Sequence, residues 1–163
     1  VAVIVVVTGG DRVVGGAVAG AAEPVVLAGS VTVTPEPGWA VVSTGEQECL
    51  SQALLAHGNA NLLIVAGPAG AGTAQELARS YVEVLEDRFA QVTTGEASIE
   101  GGERVRFGYV GITSDGLAVE GVVAAVADPV TGAGAVFDGF APKGSLGAAI
   151  EDVATMIDTA EVG

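Results

Sequence analysis

The stretch Asn61-Leu-Leu-Ile-Val-Ala-Gly-Pro-Ala-Gly-Ala-Gly-Thr-Ala74 constrains the fold most, because the chain must pass from strand to helix within a few residues. Asn61–Ala66 is an apolar run of strand length, and the glycines that follow it permit a sharp turn. Beyond the turn, Leu77, Tyr81, Val84, Leu85 and Phe89 fall on one face of a helix. Thr73 and Glu76 have the spacing of a capping box, in which hydroxyl and carboxylate each take a backbone N–H that the helix start leaves orphaned.

Strand, glycine turn and helix are also the frame of a nucleotide-binding loop, G-x-x-x-x-G-K-[ST]. Gly67 and Gly72 keep that spacing, but Thr73 stands at the lysine position and Ala74 at the hydroxyl position. The lysine would reach the β- and γ-phosphates and the hydroxyl would hold Mg²⁺. Without them, only backbone N–H groups at a helix N-terminus remain to meet an anion. Val122–Asp128 imitates a strand ending in a Walker B aspartate, yet Pro129 and Gly132 make Asp128 a turn residue. A dinucleotide fingerprint fails too, since Gln75 stands where a small third residue belongs. The loop therefore reads as architecture, with a phosphorylated ligand at Gly67–Thr73 as the alternative.

A net charge of −14, with Lys143 the only lysine, repels phosphate backbones and argues against nucleic-acid binding. The acidity fits solubility, a salt-rich habitat or an acidic docking surface. One cysteine, Cys49, excludes an internal disulfide and a cysteine metal cluster, and a lone thiol is expected to be buried and inert. His57 is the only histidine and no second ligand stands at metal spacing, so it reads as a solvated hairpin-tip residue. A Ser-His-Asp or Cys-His site would have to use His57, and Cys49 could face it across a hairpin, though a separation of eight residues carries little signal. No catalytic residue, cofactor-binding residue or metal ligand is assigned, and no cofactor is expected.

Val1–Val7 is an apolar run too short to span a bilayer, which takes about 20 residues. It reads either as the end of a transmembrane helix or as a β-branched strand. Residues 8–29 are rich in glycine and alanine and read as a linker, leaving 30–163 as one folded domain. Val31–Thr34, the turn Pro35–Gly38 and Trp39–Ser43 read as strand, turn, strand. Residues 48–56 carry Leu50, Leu54 and Leu55 at helical spacing, but the turn His57-Gly-Asn-Ala60 and the short connection favour a strand paired with Asn61–Ala66. After the first helix come Arg104–Tyr109, the turn Ser114-Asp-Gly116, a long apolar strand Leu117–Ala127, the turn Asp128–Gly132 and the strand Gly134–Ala141. From Ser145 a second amphipathic helix carries Leu146, Ala149, Ile150, Val153, Ile157 and Ala160 on one stripe. The expected fold is α+β, a largely antiparallel sheet of six or seven strands with two amphipathic helices packed on it.

Three side chains are candidate ligand or partner contacts. Trp39 is the sole tryptophan, read as a core or edge aromatic with a cleft-mouth ring as the alternative. Arg104 and Arg106 share one face of a strand; carboxylates are their expected partners, and an anionic group is the alternative. Glu120 interrupts an apolar strand and is expected to face those arginines across the hairpin.

In this order, Val31-Thr-Val-Thr-Pro35, Gly38-Trp39, Asn59-Ala-Asn-Leu62, Glu120-Gly121 and the closing helix with Met156 resemble the LpqN-like actinobacterial extracytoplasmic proteins of the PsbP-like fold. The likeness spans residues 31–160. It implies an α/β/α sandwich and a non-enzymatic binding or accessory factor of the cell envelope, secreted or membrane-tethered. The expected partner is a protein or a small apolar, lipid-like ligand, with membrane attachment through an N-terminal anchor only. The chain lacks the N-terminal lipidated cysteine of the lipoprotein members. A phosphorylated-ligand enzyme and a structural self-assembling domain are the alternatives.

Overall fold

The computed structural model describes residues 22–47, 49–67 and 70–163. Val1–Val7 and residues 8–21 of the expected linker lie outside them, as do Glu48, Pro68 and Ala69. The folded part begins earlier than expected. Val25–Leu27 is a strand (β1), paired antiparallel with β2 (Val31–Val33), and both turn alternate residues into the core. The stretch read as linker thus supplies a strand, because Val25 and Leu27 alternate around Val26 and bury against the main sheet.

The main sheet has eight strands and is antiparallel throughout: β3 (Ala40–Gln47), β4 (Leu50–His57), β5 (Ala60–Gly67), β6 (Gln91–Thr94), β7 (Ser98–Glu100), β8 (Arg104–Ile112), β9 (Ala118–Ala127) and β10 (Gly134–Pro142). Its order is β3-β4-β5-β10-β9-β8-β6, with β7 also on β8. The hairpin expected at His57–Ala60 is there, closed by a two-residue turn in which Gly58 takes a φ of +59°. The strand–turn–strand unit expected at 31–43 is a correction: β2 and β3 belong to different sheets. Val31 and Val33 are drawn onto β1, and Pro35–Gly38 carries the chain across to the edge of the main sheet. A short final strand, β11 (Glu161–Val162), completes the small sheet beside β2.

Two helices cover opposite faces. Helix α1 (Ala74–Arg88) buries Ala74, Ala78, Tyr81 and Leu85 against Val105, Phe107, Val123, Ala125 and Val136. Helix α2 (Ile150–Thr159), entered through a 3₁₀ turn at Leu146–Ala148, buries Val153, Met156 and Ile157 with β1 and β2 on the other face. Strand β9 lies between both layers, which is why it is apolar on both sides: Val123 and Ala125 meet α1, and Ala124 meets the α2 layer. The α+β sandwich expected from the pattern is the fold observed.

Thr73 caps α1 as its spacing predicts. Its Oγ1 accepts from the Glu76 N–H at 3.2 Å, and a Glu76 carboxylate oxygen accepts from the Thr73 N–H at 2.9 Å. These bonds hold the Glu76 carboxyl below the usual glutamate range. Thr73→Ala should cost about 1 kcal/mol in urea unfolding. Because the Glu76 pKa is depressed in the fold, its contribution is present above the ordinary glutamate range and lost as pH falls through the folded value. Glu76→Gln should therefore be less stable than the parent at neutral pH, and the gap should close in acid.

Candidate functional site

Two features stand out: a buried carboxylate on the α1 face, and an open trough on the α2 face. Asp138 lies at the middle of β10 with no exposure, on the side facing α1. Three donors converge on it. The Tyr109 hydroxyl from β8 donates to Oδ1 at 2.9 Å, while the Tyr81 hydroxyl at 2.8 Å and the Arg88 guanidinium at 3.0 Å, both from α1, share Oδ2. Arg88 in turn lies over the Phe140 ring, 4.3 Å from its centroid, so its charge is held between a ring and a carboxylate.

Burial pushes the Asp138 carboxyl above the usual aspartate range, and Arg88 and the two phenols pull it back. Burial, and then the Asp138 charge, push both phenols well above the ordinary tyrosine range. The sequence gives no period or motif that marks Asp138. The only signal was a lone aspartate in an apolar strand, the same signal that singled out Glu120.

On the opposite face, α2 and the 3₁₀ turn cover β10 and β9 and leave part of β8 open. The result is an open trough of about 840 Å³. Gly108, Val110 and Val122 form its floor, Leu146, Gly147 and Ile150 its helical wall, and Thr93 and Thr94 its far side. The only lysine, Lys143, stands on its rim and is exposed.

Arg104 and Arg106 lie on this same face of β8, up the strand from Gly108. Arg104 reaches Oδ1 of Asp158 at the end of α2 at 2.5 Å, and Arg106 bonds the same oxygen. The carboxylate partner expected for the arginines is thus supplied by α2. Glu120 is a correction. It pairs across the hairpin with Val110, and its Oε1 accepts from the Gly144 and Leu146 N–H groups at 2.9 and 3.0 Å. The turn into the 3₁₀ segment presents two unpaired N–H groups, and these claim the carboxylate before any arginine can.

Trp39 is buried, and its indole N–H donates to Asp152 of α2 at 3.0 Å. The imidazole Nδ1 of His57, at the end of β4, stands 3.8 Å from the same oxygen, and its ring meets the indole edge-on. Asp152 is two residues from Ile150 and so on the other flank of α2, which separates Trp39 from the trough. Cys49 is a further correction: it is exposed in the β3–β4 turn, where no layer covers the edge strand. It lies at the opposite end of β4 from His57, so the two do not form a pair.

At the near-Walker loop the Thr73 N–H is already taken by the Glu76 carboxylate. Asp128 is the turn residue expected, accepting from the Val130 N–H at 2.9 Å and the Thr131 hydroxyl at 2.7 Å. No group of three or more His, Cys, Asp or Glu side chains is placed to hold a metal ion among the described residues. Nor, among those residues, is any helix long and apolar enough to cross a membrane.

Asp138→Ala should lower stability by about 3–5 kcal/mol, since it strands a guanidinium and two hydroxyls. The chain has only two tyrosines and both bond Asp138, so tyrosine absorbance reports this network alone. A phenol whose pKa is raised by folding stays protonated while the unfolded chain ionises, so stability falls as pH climbs past the ordinary tyrosine range. Tyrosinate absorbance should therefore stay absent in the native chain near pH 10. It should appear in one cooperative step with unfolding at higher pH.

No known protein family matches the sequence, and no curated protein matches it. Solved structures do match in fold. Mog1p of Saccharomyces cerevisiae, a Ran-binding protein, superposes with a TM-score of 0.59 at 11% identity, over 82% of this chain and 90% of that one. A mutant of protein Mog1 gives a TM-score of 0.60 at 11% identity, over 86% and 95%. The cyanobacterial PsbP protein CyanoP of Synechocystis gives 0.58 at 14% identity, over 82% and 87%. The chain has the α+β sandwich of the PsbP-like fold.

Proposed function

We propose that the chain is a non-enzymatic binding or accessory domain of the cell envelope. It works outside the cytoplasm, tethered through its N-terminal segment, and takes a protein partner in the trough beside α2. The observation that carries this is the trough itself: an open apolar floor on β8 and β9, walled by Leu146 and Ile150, within an otherwise acidic surface. Mog1p, which shares the fold, is a Ran-binding protein, and this supports recognition of a protein. The likeness of residues 31–160 to LpqN-like proteins supports the extracytoplasmic setting. The apolar run Val1–Val7 supports the tether. In this reading Arg104 and Arg106, on the same face of β8 and bonded to Asp158, meet a partner that extends beyond the trough.

The fluorescent dye 1-anilinonaphthalene-8-sulfonate should bind the chain saturably, with a rise in emission. Val110→Asp, which puts a charge on the floor, should weaken the dye about tenfold. Val130→Asp, 89% exposed in the β9–β10 turn, should leave it unchanged. Absence of saturation, or equal effects of the two changes, would overturn the trough as the binding site. Location is tested separately by fusing the coding region around Val1 to a reporter enzyme active only outside the cytoplasm. Activity is expected, and its absence removes the tethered reading.

A further inference from the structure

The sheet's strand glycines share a habit with one exception. Against each of the others a side chain stands within 3.4 Å of the place a Cβ would take. Phe89 lies on Gly111, Tyr109 on Gly121, Leu77 on Gly134 and Val153 on Gly139, each with an atom within 2.6 Å of that position. Ala71 lies 3.0 Å from it at Gly67, and Gln52 3.4 Å at Gly45. Gly108 alone has no side chain within 4 Å; the sole neighbour is the Gly121 carbonyl oxygen at 3.7 Å. Gly108 is also the floor of the trough, and the wall residue Gly147 has nothing within 4 Å of its Cβ position.

This pattern has a physical meaning. A glycine in a strand leaves peptide backbone uncovered, and a side chain laid over it shields the ladder and packs flat against it. The chain does this with its own rings on the α1 face, at Gly111 and Gly121. On the α2 face it supplies nothing for Gly108, and no other side chain takes the space above it.

The rim adds a charge to that shape. Among the described residues Lys143 has no ion-pair partner within 4 Å. Glu120, which also lines the trough, spends its Oε1 on the Gly144 and Leu146 N–H groups. An ammonium beside an apolar hollow selects a ring with a carboxylate next to it.

We propose that the trough receives a segment of a partner protein that lays an aromatic side chain on Gly108 and sets a neighbouring carboxylate against Lys143. This rests on the trough being the binding site. It adds which chemical group enters the trough and which residue reads its charge. The free trough and the bound one then differ by a single inserted ring, the trans counterpart of Tyr109 on Gly121.

The test uses the full chain, ¹⁵N-labelled, titrated with three acetylated and amidated tetrapeptides: Gly-Phe-Asp-Gly, Gly-Ala-Asp-Gly and Gly-Phe-Asn-Gly. The first should shift the Gly108, Gly147 and Lys143 amides. Removing the ring should weaken binding about tenfold or more, and removing the charge about threefold. Lys143→Gln should erase the difference between the Asp and Asn peptides. Gly108→Leu should abolish binding with the thermal midpoint retained; should that variant not fold, Gly147→Leu fills the same space from the wall. If the dye binds the trough and no peptide does, or if the Phe and Ala peptides bind alike, the ring reading is overturned while the trough stays a site. Shifts confined to the Trp39 side of α2 would overturn it as well. If neither dye nor peptide binds, the trough itself falls.

Discussion

The Asp138 carboxylate decides how this sandwich is assembled. A charged group in the middle of an apolar sheet is tolerable only with its oxygens bonded, because leaving them bare costs several kcal/mol. Asp138 meets that demand with donors from two other elements, Tyr109 from β8 and the Tyr81–Arg88 pair from α1. One interaction therefore fixes the helix on the sheet and the phase of β8. With Tyr109 turned toward Asp138, alternation sends Val105 and Phe107 to the same side and Arg104, Arg106, Gly108 and Val110 to the other. A slip of one residue would bury two guanidiniums and expose three apolar side chains.

The two faces then follow different logics. On the α1 face the rings of Phe89 and Tyr109 press onto the bare backbone of Gly111 and Gly121, close enough that any Cβ there would collide. Aromatics are scarce in this chain, and two of them are spent sealing that side. On the α2 face a ten-residue helix with the small β1-β2-β11 sheet covers β4, β5 and β10 but stops short of the outer half of β8. The trough is what remains when one face is closed by a polar network and the other by a cover too narrow for the sheet.

Much of this was legible in the residues, and the gaps have physical causes. Helix α1, its Thr73–Glu76 box, the His57–Ala60 turn and the long β9 each follow from local periodicity or turn chemistry. Strands β1, β6, β7 and β11 are four residues or shorter, too brief for alternation to rise above chance: β6 and β7 form on the edge of the longer β8, and β1 and β11 flank the three-residue β2. Glu120 and the arginines were read as a pair because both stood out as polar on neighbouring strands. Register places Arg104 and Arg106 opposite Val126 and Ala124 instead. Asp138 was missed for the same reason: its three donors come from positions 29 to 57 residues away, which no local pattern reveals. The trough was beyond reach altogether, since it is made by what α2 fails to cover.

What the polar side chains are doing bears on the kind of function such a fold supports. Asp138 is saturated by three donors, Glu76 is committed to a helix cap, Asp128 to its turn and Glu120 to the backbone entering the 3₁₀ segment. Asp152 holds the Trp39 indole, and Asp158 holds both strand arginines. Each of these six carboxylates is engaged in positioning a segment of the chain. Gly108 and Lys143, in the trough that Glu120 also lines, take no part in these side-chain contacts. The binding site proposed for the chain thus lies where these contacts leave the α2 face open.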